Sequence, residues 1–282
     1  MYKIAILFTV HNRCNVTIAG LYALYDAIDE VQKKFSFDLY MTDDGCTDDT
    51  VSKVKSLFPN IVIIKGNGSL YWSGGMRLAW DVAKSRNDYD YYLWYNDDAV
   101  LFKDAIKTLL DASLELGDNT IISGAFYNAE TGKISYGGWS KKYSLIALNP
   151  LKFEPVYFMN GNLVLITKKV FEQLGNIDEH YIHSLGDWDY SGRARKKGIS
   201  VVLTKNYVGT TSRHDKLTCD AYNCNLNIFN RLKLLYSPFY HPKVRWHFKR
   251  IHFGLFSALV AIVACHFYVL FPFFAKKNKV VD

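Results

Sequence analysis

The sequence lacks the cysteine patterns and targeting signals that would place it among zinc, disulfide-stabilised or secreted proteins. Five cysteines occur in 282 residues, an odd number, and no two of them form a C-x-x-C pair. This pattern excludes the usual zinc and redox motifs and favours reduced thiols in the cytoplasm. The apolar run Ile4 to Val10 lacks the small-residue cleavage site of a signal peptide, so we interpret it as a first strand.

Internal repeats and low-complexity linkers are also lacking, and no domain boundary is evident before about residue 220. A chain of this length can bury a sizeable core within one large α/β domain. We therefore predict one domain over residues 1–220, followed by a helical tail over residues 221–282.

Acidic residues are scarce in the tail, and their scarcity accounts for the net charge of +7. Residues 231–282 contain nine Lys or Arg and one acid, so they carry +8 and leave −1 for residues 1–230. A slightly acidic body, with basic residues flanking an apolar segment, is not typical of a nucleic-acid-binding protein. We expect no nucleic-acid partner.

Charged residues are absent from Ile251 to Phe274, a run of 24 positions with basic residues on both sides. As one helix this run would be about 36 Å long, enough for a bilayer core of about 30 Å. The basic flanks suit anionic lipid head groups. We predict that the tail associates with the cytoplasmic face of the cell membrane, as a span, a helix in the interface or a shallow hairpin. A buried core or dimer helix is the alternative.

Four short apolar segments near the N-terminus have the composition of β-strands. They are Ile4–Val10, Phe37–Met41, Ile61–Ile64 and Tyr91–Tyr95. The segments between them have helical character. Strands that alternate with helices predict parallel βαβ units, with ligands at the carboxyl ends of the strands. The predicted fold class is α/β, with a mostly parallel central sheet flanked by helices.

Acidic side chains follow two of these strands. The fourth strand ends at Asn96, Asp97 and Asp98, and the second is followed by Asp43 and Asp44. Carboxylates at this edge of an open α/β sheet can hold a hard cation and a phosphorylated ligand, which points to sugar-nucleotide chemistry. The alternatives are a helix cap at Asp98 and a structural turn at Asp43 and Asp44.

Two further carboxylates, Asp187 and Asp189, stand at the start of a predicted helix. A carboxylate in this position faces the space above the sheet. The alternatives are that Asp187 caps the helix and that Asp189 pairs with Arg193, four residues further on.

Five motifs follow one another in a characteristic order: Val10 to Arg13, Asp43 to Thr50, Gly74 to Arg77, Asn96 to Asp98, and Gly186 to Tyr190. Together they resemble family 2 glycosyltransferases of the GT-A fold, especially bacterial rhamnosyltransferase-like and galactofuranosyltransferase-like members. The resemblance covers roughly residues 3–215.

The resemblance implies an inverting, metal-dependent enzyme that moves a sugar from a nucleotide-diphosphate donor to a hydroxyl of a glycan or lipid-linked saccharide. It assigns donor binding to Asn12, Asp43, Asp44, Arg77, Asn96 and Asp97. It assigns a divalent metal ion, Mn²⁺ or Mg²⁺, to Asp97, Asp98 and His214. The implied general base is Asp187, and the implied acceptor-binding residues are Asp189 and Trp188.

The chain departs from the family pattern at two positions. Asn96 replaces the usual first Asp of the D-x-D motif, which removes one charge from the metal site. Cys46 replaces a common Ser, a small change that should preserve the turn.

Two other functions remain open from the sequence. A nucleotidyltransferase of related architecture usually has a Gly-rich phosphate loop after its first strand, where this chain has His11 to Asn15. A membrane-attached sugar-binding or scaffold protein with a vestigial site is the non-enzymatic alternative. The donor is open between rhamnose on a thymidine carrier and galactose or galactofuranose on a uridine carrier.

Overall fold

The computed structural model describes residues 1–211 and 220–275. These residues form twelve strands: β1 (Tyr2–Val10), β2 (Phe35–Asp43), β3 (Val62–Lys65), β4 (Tyr91–Tyr95), β5 (Val100–Leu101), β6 (Thr120–Tyr127), β7 (Ile134–Tyr136), β8 (Gly138–Trp139), β9 (Glu154–Pro155), β10 (Phe158–Met159), β11 (Leu163–Thr167) and β12 (Ser200–Thr210).

The same residues form nine α-helices: α1 (Cys14–Asp29), α2 (Thr50–Leu57), α3 (Tyr71–Arg86), α4 (Ala105–Leu116), α5 (Lys168–Leu174), α6 (Gly186–Lys196), α7 (Ile228–Leu235), α8 (Pro242–Phe253) and α9 (Leu255–Leu270). Short 3₁₀ turns lie at Asp220–Tyr222 and Pro272–Phe274.

The central sheet confirms the predicted α/β class. Its strand order in the described part of the chain is β3-β2-β1-β4-β11-β6-β12-β5. The first four strands in this order are parallel, as the βαβ pattern requires. β11 is antiparallel to both of its neighbours, β4 and β6. The carboxyl ends of β1, β2 and β4 therefore meet at one edge of the sheet.

Both faces of the sheet are covered by helices, and the alternation of β1 side chains shows why. Ile4, Ile6 and Phe8 are buried with residues of α1 and α4, whereas Ala5 and Leu7 are buried with residues of α3, α5 and α6. A strand that is buried on both faces is apolar throughout, which is why β1 and β4 contain nearly continuous apolar runs. The sheet is therefore packed on both faces next to the edge where its loops form a site.

The described part of the tail is helical, and a glycine divides its apolar run. Gly254 ends α8 with a φ of 90°, a backbone conformation that glycine adopts readily, and α9 then extends over 16 residues. Within residues 1–211 and 220–275, no helix has the length and apolar character needed to cross a membrane. Gly254 thus divides Ile251 to Phe274 between α8 and α9, and association of the tail with a membrane stays a prediction.

The described part of the tail packs against the α/β domain. The side chains of His252 on α8 and Asp189 on α6 are completely buried together, with 2.8 Å between Nε2 and a carboxylate oxygen. Lys249 Nζ donates to the hydroxyl of Tyr143 at 2.9 Å. The predicted boundary near residue 220 remains a prediction, and these contacts cross it.

Candidate active site

A cleft of about 660 Å³ lies at the carboxyl edge of the sheet. Its walls come from loops far apart in sequence, which the parallel strand order brings together. His11 and Arg13 follow β1, Asn96 and Asp98 follow β4, and Asp187 and Trp188 begin α6. Phe239, from the tail, also lines the cleft. The predicted metal motif and the predicted base therefore share one cavity.

Arg13 joins the two carboxylates after β4. Its guanidinium forms ion pairs with Asp97 and with Asp98, the latter at 3.1 Å. Asp97 is completely buried and also accepts a hydrogen bond from the Thr17 hydroxyl at 2.5 Å. Burial raises the pKa of Asp97 to about 6, although Arg13 and Thr17 act in the opposite direction. The carboxylate of Asp97 is thus held by α1 and its preceding loop and is not part of the cleft wall.

Asp98 has the position that a metal ligand needs. Its side chain is about one-quarter exposed and lines the cleft. One carboxylate oxygen accepts from Arg13, while the other, Oδ1, is buried without a hydrogen-bond partner. A buried oxygen without a partner fits a hard divalent cation. The helix-cap alternative for Asp98 is wrong, because α4 begins later, with Asp104 at its N-cap position.

Asn96 is fixed by a tryptophan. The indole Nε1 of Trp72 donates to Asn96 Oδ1 at 2.6 Å. A Cβ added to Gly161 would overlap the same indole ring, so the ring lies directly over the Gly161 backbone. This contact places Gly161 between the acidic motif after β4 and the start of α6.

Asp187 is anchored by backbone amides. Its Oδ2 accepts from the Gly161 amide at 3.0 Å and its Oδ1 from the Trp188 amide at 2.8 Å. Burial raises the pKa of Asp187 to about 6, despite these hydrogen bonds, which lower it. The group is therefore mostly ionised at neutral pH and is well suited to accept a proton.

Asp189 lies away from the cleft. It is completely buried, and its carboxylate contacts Arg193 at 2.7 Å and His252 at 2.8 Å and accepts from the Tyr181 hydroxyl at 3.2 Å. The structure thus contains the pairing with Arg193 that the sequence offered as an alternative. Direct acceptor contact by Asp189 would require these contacts to break.

Trp188 lines the cleft but has little exposed surface. Its ring stacks on Phe158 with centroids 4.7 Å apart and an interplanar angle of 7°. Tyr143 stacks at 5.8 Å. These contacts fix the ring in the cleft wall, and its role in acceptor binding stays a prediction.

The residues predicted to bind the nucleoside hold loops together. The Asn12 side-chain oxygen accepts from the amides of Thr47 and Asp48, and Asp43 accepts from the Cys46 amide at 2.7 Å.

Asp44 is buried and accepts from three amides. These belong to Gly68, Leu70 and Tyr71, so Asp44 holds the loop that leads into α3. Of the three predicted residues, Asp44 lines the cleft.

Arg77 lies outside the cleft wall. Its guanidinium donates to the carbonyl oxygens of Asp178 and Tyr181, both at 3.1 Å, so it supports the loop before α6. His214 lies outside the described residues.

Arg13 and His183 are cleft residues to which the sequence interpretation gave no firm role. Arg13 could have been found from its place after β1, at the edge where the carboxylates of β4 also lie. His183 packs against Phe239 with ring centroids 4.2 Å apart, and burial lowers its pKa to about 4. It is therefore neutral at physiological pH. No sequence pattern predicted that the tail would supply Phe239.

Comparison with known proteins identifies the family of the chain. The model of "Glycosyl transferase family 2" matches residues 6–175, more than half of the chain. The protein therefore belongs to glycosyl transferase family 2. No match is found among curated protein sequences.

Three solved structures are similar in fold. A mannosyltransferase from Pyrobaculum calidifontis, solved with GDP-Man and Mn²⁺, is 13% identical with a TM-score of 0.53, over 94% of this chain and 74% of that one. S. aureus TarS residues 1–349 are 13% identical with a TM-score of 0.57, over 94% of this chain and 81% of that one. Longer TarS is 12% identical with a TM-score of 0.57, over 95% of this chain and 55% of that one. At such identities the likeness concerns the fold.

Proposed function

We propose that the protein is an inverting, metal-dependent glycosyltransferase that uses a nucleoside-diphosphate sugar as donor. The observation that carries the proposal is the shared cleft, in which Asp98, with its unpartnered oxygen, and Asp187, with its raised pKa, face one cavity. Family membership supports the transferase class.

In this proposal Asp187 acts as the general base. It takes the proton from the acceptor hydroxyl while the hydroxyl oxygen bonds to the anomeric carbon. The bond from that carbon to the diphosphate breaks on the opposite face, so the anomeric configuration inverts. A single well-placed carboxylate suffices for this displacement.

Asp98 would hold Mn²⁺ or Mg²⁺, which neutralises the charge that develops on the diphosphate. Asp97, through its ion pair with Arg13, would fix the loop that carries Asp98. Arg13 contributes a second positive charge at the same edge of the cleft. The side-chain oxygen of Asn96 accepts from Trp72, and its NH2 group would be the part that contacts the donor.

The proposed donor sugar is of the rhamnose, galactose or galactofuranose class. The proposed acceptor is a hydroxyl of a glycan or of a lipid-linked saccharide in cell-surface polysaccharide synthesis.

The test is donor turnover by the purified protein with a panel of thymidine-, uridine- and guanosine-diphosphate sugars and Mn²⁺. We expect release of nucleoside diphosphate from one donor class, and loss of this release on addition of EDTA or in Asp98→Asn. Asp26→Asn, a change at an exposed carboxylate on α1, is the matched control and should retain activity. Donor binding without turnover by the parent protein would contradict the proposal and favour a scaffold.

We also propose that α9 attaches the protein to an anionic membrane by lying in its interface. Apolar side chains recur on one face of α9 every three or four residues and are exposed, among them Phe256, Val263 and Phe267. The opposite face, with Ala258, Cys265 and Val269, is buried.

The adjacent helix α8 carries exposed Lys243 and Arg250. A flat apolar face beside basic residues suits anionic lipids.

Co-sedimentation of the full chain with vesicles tests this attachment. We expect binding to vesicles that contain phosphatidylglycerol and weaker binding to pure phosphatidylcholine. Phe256→Glu should abolish binding, whereas Leu151→Glu, at an equally exposed apolar residue outside the tail, should not. Equal sedimentation of the parent and Phe256→Glu proteins would contradict the proposal, as would an α9 face buried in a stable dimer by light scattering.

A further inference from the structure

A cluster of potential metal ligands lies outside the cleft, where the loop before α6 meets α8. It consists of Asp178, His180 and His247, whose ligand atoms all lie within 4.8 Å of one another. His180 Nδ1 is 2.8 Å from Asp178 Oδ1, and His247 Nε2 is 3.3 Å from Asp178 Oδ2. The two imidazole rings stack with centroids 3.8 Å apart. None of the three residues lines the cleft that contains Asp98 and Asp187.

We propose that Asp178, His180 and His247 form a second metal site, selective for a borderline divalent transition ion such as Zn²⁺. Two imidazole nitrogens and one carboxylate are a donor set for zinc, cobalt or nickel, whereas Mg²⁺ prefers oxygen ligands and keeps much of its water. The site therefore differs in metal preference from the oxygen-rich position at Asp98.

The ligands are held in place from both sides. Arg77 donates to the carbonyl oxygens of Asp178 and Tyr181, which fixes the loop. The His247 side chain is largely buried on α8. The His180 side chain is about half exposed, so water can complete the coordination and the ion can enter. A bound ion would take the place of the protons that now join the carboxylate to the two rings.

Such an ion would tie the tail to the catalytic domain. Asp178 and His180 precede the cleft residues His183 and Asp187 in the same loop and helix, whereas His247 belongs to α8. Binding that occurs in the folded state alone raises stability in proportion to the logarithm of the free metal concentration. The proposed role is structural and does not depend on the transfer reaction.

The experiment is a titration of the full-length, EDTA-treated protein with Zn²⁺ by calorimetry, and with Co²⁺ by visible absorption. We expect one site per chain, a rise in the melting temperature with Zn²⁺, and a cobalt spectrum of nitrogen and oxygen ligation. His180→Ala should weaken Zn²⁺ binding by more than about 10-fold, since even the loss of a group that only supports a metal ligand commonly costs that much. His180→Gln is the second variant. The exposure of His180 makes unfolding of either variant unexpected.

Two controls separate this site from others. His266→Ala removes a histidine of α9 outside the cluster, and Asp98→Asn removes the proposed ligand in the cleft; both should bind Zn²⁺ as the parent does. Equal affinity of the parent and His180 variants would overturn the proposal, as would the absence of saturable binding. Loss of Zn²⁺ binding in Asp98→Asn alone would place the ion in the cleft and also overturn it.

Discussion

The indole nitrogen of Trp72 and the side-chain oxygen of Asn96 are 2.6 Å apart, in a hydrogen bond that joins α3 to the motif after β4. The same indole covers the Gly161 backbone, and the Gly161 amide donates to Asp187 at 3.0 Å. Trp72 thus connects the motif that includes Asp98 with the proposed base. The replacement of the usual first acid by Asn96 leaves this connection intact.

The Trp72 contact predicts a strong effect of Gly161→Ala. The added methyl group would overlap the indole and displace the amide that holds Asp187. We expect transfer to fall about 10²-fold, the cost of misplacing a catalytic group by about 1 Å. The measurement is kcat/KM for transfer from the donor that the panel of nucleoside-diphosphate sugars identifies. Gly74→Ala in α3 is the control, because its methyl group would make a tight contact with Leu70 Cβ, at 3.2 Å, but none with the Trp72 indole. Equal losses in both variants would contradict the assignment.

The raised pKa of Asp187 predicts a pH limit on activity. The base must be ionised, and its pKa is about 6. We expect kcat/KM to be constant above about pH 7 and to fall tenfold per pH unit well below pH 6. The measurement is the pH profile of kcat/KM. A profile that is flat down to pH 5 would show that another group takes the proton.

The raised pKa of Asp187 also predicts that its ionised form, the form needed as a base, lowers the stability of the folded protein. Asp187 has a higher pKa in the folded protein than in the unfolded chain, so its contribution to stability is complete below the unfolded pKa and is lost as the pH rises through 6. Asp187→Asn removes this ionisation, although its NH2 group faces one of the two backbone amides that now donate to the carboxylate. The melting temperature of the variant relative to the parent should therefore rise from pH 5 to pH 7.5. Thermal unfolding at both pH values checks this. A relative melting temperature that rises on acidification would have the wrong sign.

The ion pair between Arg13 and Asp97 predicts a stability loss in Arg13→Met. The substitution leaves a completely buried carboxylate without its charged partner. We expect a fall in the free energy of unfolding near the lower end of about 3–5 kcal/mol, because Arg13 itself is partly exposed. Urea unfolding at pH 7.5 measures it. Arg86→Met, at an exposed arginine of α3, should change stability by less than about 0.5 kcal/mol. Similar values for the two variants would mean that Asp97 is not held by Arg13.

The sheet edge was predictable because it depends on local patterns. The four N-terminal strands lie within two residues of their predicted bounds at each end, and parallel βαβ units then bring the ends of β1, β2 and β4 together. That topology predicts the position of Asp98, whereas Asp187, at the start of α6, reaches the cleft through parts of the fold that come after these units. The antiparallel insertion of β11 between β4 and β6 was not predictable, because pairing partners are not encoded in local composition.

Long-range partners account for the other differences. Asp189 could have faced either the cleft or Arg193, and the packing of α6 decides between them. His252 of α8 completes the burial of the Asp189 carboxylate. The roles of Asp44 and Asn12 in holding loops depend on amides of other loops, up to 36 residues away. The break at Gly254 was visible as a glycine, but its positive φ is a property of how α8 and α9 pack.

The measurement that tests the central claim most directly compares donor binding and sugar transfer in Asp187→Asn. The asparagine keeps the size of the side chain and loses the base. The account predicts that calorimetry finds parent-like donor affinity in the presence of Mn²⁺, while transfer falls about 10²–10⁴-fold. Transfer by the variant at the parent rate would contradict the assignment of Asp187 as the base.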